Sequence, residues 1–469
     1  MNFFKYASLV IVVLCVEPSF AQLSKDSIQV QTKAWSRDKN REIVYSDWKT
    51  VAASTVDLLP GFKASKNLRL NTYGGLISEN LQPTGFFRIQ QEGDRWWVKD
   101  PLGAKFVTMG ITSLRTGKSE LVEKAFNDKF KNDAEWLSKT QQIFNSTGFN
   151  TAGSWSSVDA IVLYNEKSSQ PIVFSTQLSL LSGYAQKKNK GKANKDYPVL
   201  AFVFDPGFKA HCEAKQEDIG KYKNDKNLFG HFSDNELPFQ NDLLKEFLTI
   251  ADVEDPAFIT ANKWLKEQQL TPENISKQNR DAFAGYVAGV YYKTVVEAIK
   301  KFDPNHLYLG SRLHSSAKNN PAVLAAAEMY NDIISINYYG NWSVTANHAL
   351  QWSKLKKPFF ITEFYTKAED TKMANMSGAG WLVKTQNDRG IHYQNFCLTL
   401  LQIKNCVGWH WFRYQDNDPT DKSADPSNND SNKGIVTTTF ETYSPLINKM
   451  KQLNTVVFDL VKYFDSQNQ

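Results

Sequence analysis

"LFGHFSDNE", Leu228 to Glu236, is an apolar run that stops abruptly on three polar side chains, Asp234, Asn235 and Glu236, with Pro238 just beyond. A strand that merely closes a core more often ends on Gly, Ser or a turn pair. The run has seven counterparts: "KFVTMGI" from Lys105, "GFNTAG" from Gly148, "PIVFSTQ" from Pro171, "HLYLGSR" from His306, "IISINYY" from Ile333, "PFFITEF" from Pro358 and "VGWHWF" from Val407. Helical periodicity fills the gaps. Phe283, Tyr286, Val287, Val290, Tyr291 and Val295 mark one face before Asp303-Pro304 stops the helix. Trp136, Leu137, Ile143 and Phe144 form another stripe, which Gly148 can terminate, and Tyr393, Phe396, Cys397 and Leu400 a third. Eight strand–helix units predict an α/β fold, a (β/α)8 TIM barrel with a short N-terminal β extension, whose functional residues sit at the C-terminal strand ends. The rival, a doubly wound open sheet, lacks support: no G-x-G-x-x-G turn follows the first run and no P-loop is present.

Glu236 ends the fourth run, and Glu363, in "FFITEFY", ends the seventh in the same manner. Across the mouth of an eight-stranded barrel those ends face each other, so the two carboxylates are expected to converge. A pair about 5–5.5 Å apart is the apparatus of retaining glycoside hydrolysis, one group protonating the leaving oxygen and the other attacking the anomeric carbon. The acid needs a raised pKa, from apolar surroundings and from the neighbouring negative charge.

With Asn235 before Glu236, Tyr338 ending the sixth run near Glu363, and Trp411 on the eighth, the set resembles the clan A glycoside hydrolases. Within that clan the chain is most similar to the agarase-type enzymes of glycoside hydrolase family 50. The resembling stretches are "GDRWWVKDPLGAKFVTMGITSL", "GFNTAGSWS", "FVFDPGF", "GHFSDNEL", "SINYYG", "TEFYTKAED" and "NCVGWHWFRYQDND…NKGI", spread from Gly93 to Ile435. The resemblance implies that Glu236 is the general acid/base and Glu363 the nucleophile. It also implies that Asn235 bonds the sugar 2-hydroxyl, Tyr338 holds the nucleophile and Trp411 floors the subsite. The implied activity is hydrolysis of β-1,4 linkages of agarose, mostly trimming oligosaccharides from chain ends. The segment ahead of the first strand is shorter than the carbohydrate-binding-like domain of several relatives, which leaves polymer against oligosaccharide preference open.

Other candidates have two readings, sugar contact or packed barrel residue: His231, Arg312, His314, His410, Arg413, and the tryptophans Trp155 and Trp342, whose rings suit stacking on a sugar. The stretch "QKKNKGKANKD", Gln186 to Asp196, is a solvated basic loop or a recognition element for an acidic group. The loop from Gln415 to Gly434 places Asp416, Asp418 and Thr420 alternately, but Asp421 stands where an EF-hand needs Gly and no Glu falls at position twelve. It reads as a polar rim loop. With no C-x2-C or H-E-x-x-H spacing either, no metal and no cofactor is expected.

Composition reads as that of an ordinary soluble globular protein, with 41% apolar and 22% charged residues and an aromatic set of 12 Trp, 19 Tyr and 30 Phe. A formal charge of +6 is too mild to argue for nucleic acid, and the expected partner is a galactan oligo- or polysaccharide. Lys5, the apolar run Leu9 to Val16 and Ser19-Phe20-Ala21 predict a signal peptide over 1–21 and export to the periplasm or beyond, with no later membrane insertion. Residues 22–95 are then the extension and 96–469 the barrel. Cleavage leaves Cys212, Cys397 and Cys406, either buried thiols or a Cys397–Cys406 bridge with one thiol over. Two alternatives remain open at this point: a retaining enzyme for another, possibly sulfated, β-glycan, and an inactive sugar-binding barrel.

Overall fold

The computed structural model describes residues 26–40, 42–65, 68–79, 81–189, 197–240, 242–422, 424 and 430–467; the predicted signal peptide and most of the basic loop, 190–196, lie outside them. Each of the eight apolar runs holds a strand: β1 Thr108–Ile111, β2 Thr151–Ala152, β3 Val173–Gln177, β4 Leu228–Phe232, β5 Leu307–Tyr308, β6 Ile334–Asn337, β7 Phe359–Glu363 and β8 Cys406–Trp411. They form one parallel sheet in the order β5-β4-β3-β2-β1-β8-β7-β6. The last strand therefore returns to lie beside the first. Beyond β5, Leu313 makes a parallel bridge to Ile336 of β6. Its N–H donates to the Ser335 carbonyl at 2.8 Å, and its own carbonyl accepts from the Asn337 N–H at 2.9 Å. The sheet is curled and TIM-like.

Every residue of β4, β6, β7 and β8 is buried, the pattern of strands covered on both faces. Lys277–Phe302, the longest helix among the described residues, starts on a Ser276/Asn279 capping box and buries Phe283, Val287, Tyr291 and Val295. The predicted stop holds, with Asp303 as C-cap. The helix Asp133–Thr147 ends on Gly148 at φ 77°, where a Cβ would meet Asn454 at 2.8 Å, so the site takes only glycine without displacement.

The N-terminal segment is laced into the insertion that follows β7. Ile28–Lys33 pairs antiparallel with Lys49–Ala53 and with Trp381–Val383, which pairs in turn with Thr366–Ala368. A ribbon of Trp35–Arg37 against Ile43–Tyr45 extends from it. Ahead of the first strand lies a three-stranded meander, Arg88–Glu92, Arg95–Lys99 and Lys105–Phe106. Its first turn is at Gly93. The second is at Asp100, whose carboxylate accepts from the Leu102 and Ala104 amides. Phe87, Val98 and Phe106 of this region pack with Val173, Phe229, Leu307 and Phe360, residues near the starts of their strands. The meander thus plugs the N-terminal end of the sheet and leaves the other end open. Cys212, Cys397 and Cys406 are free and buried, which settles the bridge alternative in favour of thiols.

Candidate active site

The C-terminal strand ends share a backbone peculiarity. Ser113 after β1, Trp155 after β2, Ser179 after β3, Glu236 after β4 and Arg312 after β5 have φ between 50° and 65°. L-residues rarely adopt this left-handed region, and they persist there where the surroundings over-determine them, often at functional sites. Of these five, Ser113, Trp155 and Glu236 line a cleft of about 670 Å³.

Glu236 and Glu363 both line that cleft, as do Asn235, Tyr339, His314 and Trp155. Glu236 Oε1 accepts from Asn337 Nδ2 at 2.7 Å and lies 3.7 Å from His314 Nδ1. Glu363, 6% exposed, accepts on Oε1 from the guanidinium of Arg312 and on Oε2 from the Tyr339 hydroxyl. The same guanidinium donates through Nη1 to Asn235 Oδ1 at 3.0 Å, and Asn337 is fixed by the Thr362 hydroxyl at 2.6 Å. One network therefore spans β4 to β7 and gives the two carboxylates different partners. Burial raises the Glu236 pKa above its ordinary value; the charge of His314 opposes this, the negative charge of Glu363 adds to it, and Asn337 and Arg312 oppose it.

Of the remaining predicted residues, Arg312 is wholly buried beneath the cleft, and its charge lies 5.8 Å from the ring centre of Trp155, which is 36% exposed. Arg413 lines the cleft. Four expectations are corrected. Tyr338 does not reach Glu363: its hydroxyl pairs with His348 Nδ1 at 2.9 Å and its ring packs on Trp352 and Phe396, so the phenol on Glu363 is that of Tyr339. Trp411 is fully buried behind Phe364, its indole donating to the Lys433 carbonyl at 2.9 Å; Phe412 lines the cleft instead. Trp342 is packed against His392 and donates to the Ala52 carbonyl, whereas Trp35 of the N-terminal ribbon lines the cleft. His231 is buried away from it, bonded to Thr176 and Asp303.

His410 is likewise buried, on Thr108 at 2.8 Å. Among the described residues, His231, Asp303 and His306 alone group closely enough to hold a metal ion. Yet Asp303 Oδ2 already bonds both rings, and their outer nitrogens meet Thr176 and the Asp225 carbonyl, so every ligand atom of the two histidines is used within the core. Sequence reasoning missed Tyr339, Asn337, Trp35, Tyr365 and Arg115. The first two stand inside the quoted "SINYYG" and Tyr365 inside "TEFYTKAED"; nothing local marks Trp35 or Arg115.

No family model matches the chain. Among curated proteins, β-agarase B of Vibrio sp. (strain JT0107) is 24% identical over 493 residues, covering 83% of this chain and 50% of that protein. β-Agarase A of the same strain is 31% identical over 170 residues, 35% of this chain and 16% of that one. The chain thus spans about half the length of the first of these relatives and less of the second. Among solved structures, an exo-β-agarase (18% identity, TM-score 0.68, 83% of this chain and 68% of that one) and the agarase AgWH50C (20% identity, TM-score 0.66, 84% and 67%) share the fold. BpGH50 is 32% identical with a TM-score of 0.83, covering 94% of this chain and 96% of that one. Correspondence at that identity over nearly the whole of both molecules means that the chain belongs to glycoside hydrolase family 50.

Proposed function

We propose that this protein is a retaining β-glycoside hydrolase of the β-agarase type, cleaving β-1,4-galactosidic linkages of agarose or a related red-algal galactan, from chain ends, after export. The observation that carries the proposal is the pair of carboxylates at the ends of β4 and β7, in one cleft and in unlike surroundings. The names of the curated relatives, both β-agarases, support the substrate class.

In this reading the Glu236 carboxyl gives its proton to the glycosidic oxygen as the bond from that oxygen to the anomeric carbon breaks, and Glu363 bonds the anomeric carbon from the opposite face. The resulting ester has lost the charge of Glu363. One of the influences raising the Glu236 pKa disappears with it, so Glu236 can take a proton from the water that releases the sugar. Arg312 and Tyr339 hold the attacking carboxylate in line, and Asn235, pinned by Arg312, faces the sugar. End-on action is supported by the wall that Trp35 of the ribbon and Gly378 and Ala379 of the insertion add to the cleft. A closed (β/α)8 barrel is supported by the Leu313–Ile336 bridge.

The test is a panel of neutral and sulfated galactans followed by proton NMR. A reducing sugar released first as the β anomer is the expected result. The α anomer would overturn the retaining mechanism, and binding without cleavage of any galactan would leave a sugar-binding protein. Within this mechanism, Tyr339→Phe should lower kcat by about 10–100-fold, the worth of one hydrogen bond to a charged group. Tyr338→Phe should cost no more than about threefold, because its hydroxyl faces His348. Steady-state kinetics on one oligosaccharide separates the two.

A further inference from the structure

The cleft has a second polar region that the two-carboxylate chemistry leaves unused. Arg413, the second residue beyond β8, is 7% exposed, lines the cleft, and has an Nε with no hydrogen-bond partner. Two more cleft residues have buried polar atoms in the same condition: Asn417 Oδ1 and the Trp35 indole N–H. Arg115, on the loop after the neighbouring β1, brings a second guanidinium to this wall, close enough for its charge to act on Arg413. Arg37 of the N-terminal ribbon brings a third.

A buried guanidinium nitrogen without an acceptor is costly, and the charge of the exposed Arg115 repels that of Arg413. The acids that Arg413 feels are engaged elsewhere. Asp416 accepts from Asn432, the Gly434 amide and Tyr443; Asp421 accepts from the Lys118 amide; Glu363 is held by Arg312 and Tyr339. A sugar hydroxyl would satisfy a hydrogen bond here but not the charge. An oxyanion would satisfy both, since guanidinium groups bind planar or tetrahedral oxyanions through paired N–H donors.

We propose that Arg413 and Arg115 form an anion subsite beside the catalytic pair, which selects a galactan unit carrying a sulfate ester or a carboxylate. The proposal rests on the glycosidase reading for its polymer and deepens it by naming the charged substituent. The basic loop 186–196 is not needed for it.

The test is titration calorimetry of the wild-type protein with galactose, galactose 6-sulfate, galacturonate and inorganic sulfate, at low and high salt. At least about tenfold tighter binding of a charged sugar than of galactose is expected, from one charge-assisted contact. The sulfate and uronate arms decide which oxyanion fits. In Arg413→Gln the advantage should fall to about twofold or less, and Arg413→Lys should restore part of it. Should Arg413→Gln fail to fold, Arg115→Gln, at an exposed position, should reduce the advantage instead. Equal binding of charged and neutral sugars by the wild type, or an advantage untouched by substitution at both arginines, overturns the subsite. Cleavage of neutral galactan alongside such equal binding would remove the subsite and keep the hydrolase. Tight charged-sugar binding with no cleavage of any galactan would do the reverse.

Discussion

Glu363→Ala should abolish turnover, by about 10⁴-fold or more, on every galactan and on every synthetic glycoside. The covalent step has no substitute once the attacking oxygen is gone, and losing a nucleophile costs more than losing an acid alone. Arg312 is then left buried beside a space that its partner has vacated, so the variant should also be less stable, by about 3–5 kcal/mol. That void lies between Arg312 and Tyr339, two donors suited to a small anion. Added azide should enter it, attack an activated aryl β-glycoside and give the α-glycosyl azide, with the aryloxide leaving. Unimpaired turnover by Glu363→Ala would end the assignment of Glu363 as nucleophile.

Glu236→Gln should behave differently, although it changes the same kind of side chain. Its amide oxygen can keep the bond from Asn337, so the cleft is expected to hold its shape. Without the proton, natural linkages should be cleaved about 10²–10⁴-fold more slowly, while aryl glycosides with good leaving groups lose much less in the first step. The pH profile gives an independent check. Because the pKa of Glu236 is raised, its protonated form persists to higher pH than an ordinary glutamic acid allows, and wild-type activity should decline on the alkaline side as pH passes through that pKa. The variant should lose that alkaline decline. An unchanged alkaline limb in Glu236→Gln would assign it to some other group.

The strands and the two glutamates were legible because they depend on local signals. Apolar runs of strand length punctuated by helical stripes set the number and order of strands, and a Glu at a strand end lies where such a fold presents its chemistry. The aromatic assignments failed for a definable reason. The register shift between β6 and β7 puts the extra residue, Thr362, on β7, while alternation continues along β6: Asn337 and Tyr339 reach the two glutamates and Tyr338 points away to His348. A slip of one residue reverses which side chain faces the site, and Tyr338 and Tyr339 exchange roles. The same one-residue choice separates Trp411 from Phe412. Trp35 was out of reach for another reason. The strand beside it, Ile28–Lys33, is fastened by Trp381–Val383, a pairing between distant parts of the chain that no periodicity announces.

The left-handed turns at five successive strand ends carry a consequence for engineering heat tolerance. Each L-residue there costs on the order of 1–3 kcal/mol relative to a relaxed backbone. Glycine at Ser179, whose side chain makes no cap bond, would recover part of that energy, whereas glycine at Glu236 or Arg312 would recover it by deleting the reagents themselves. Robustness and competence are thus opposed along a single edge of the molecule, and a sequence optimised blindly for melting temperature would erode that edge first.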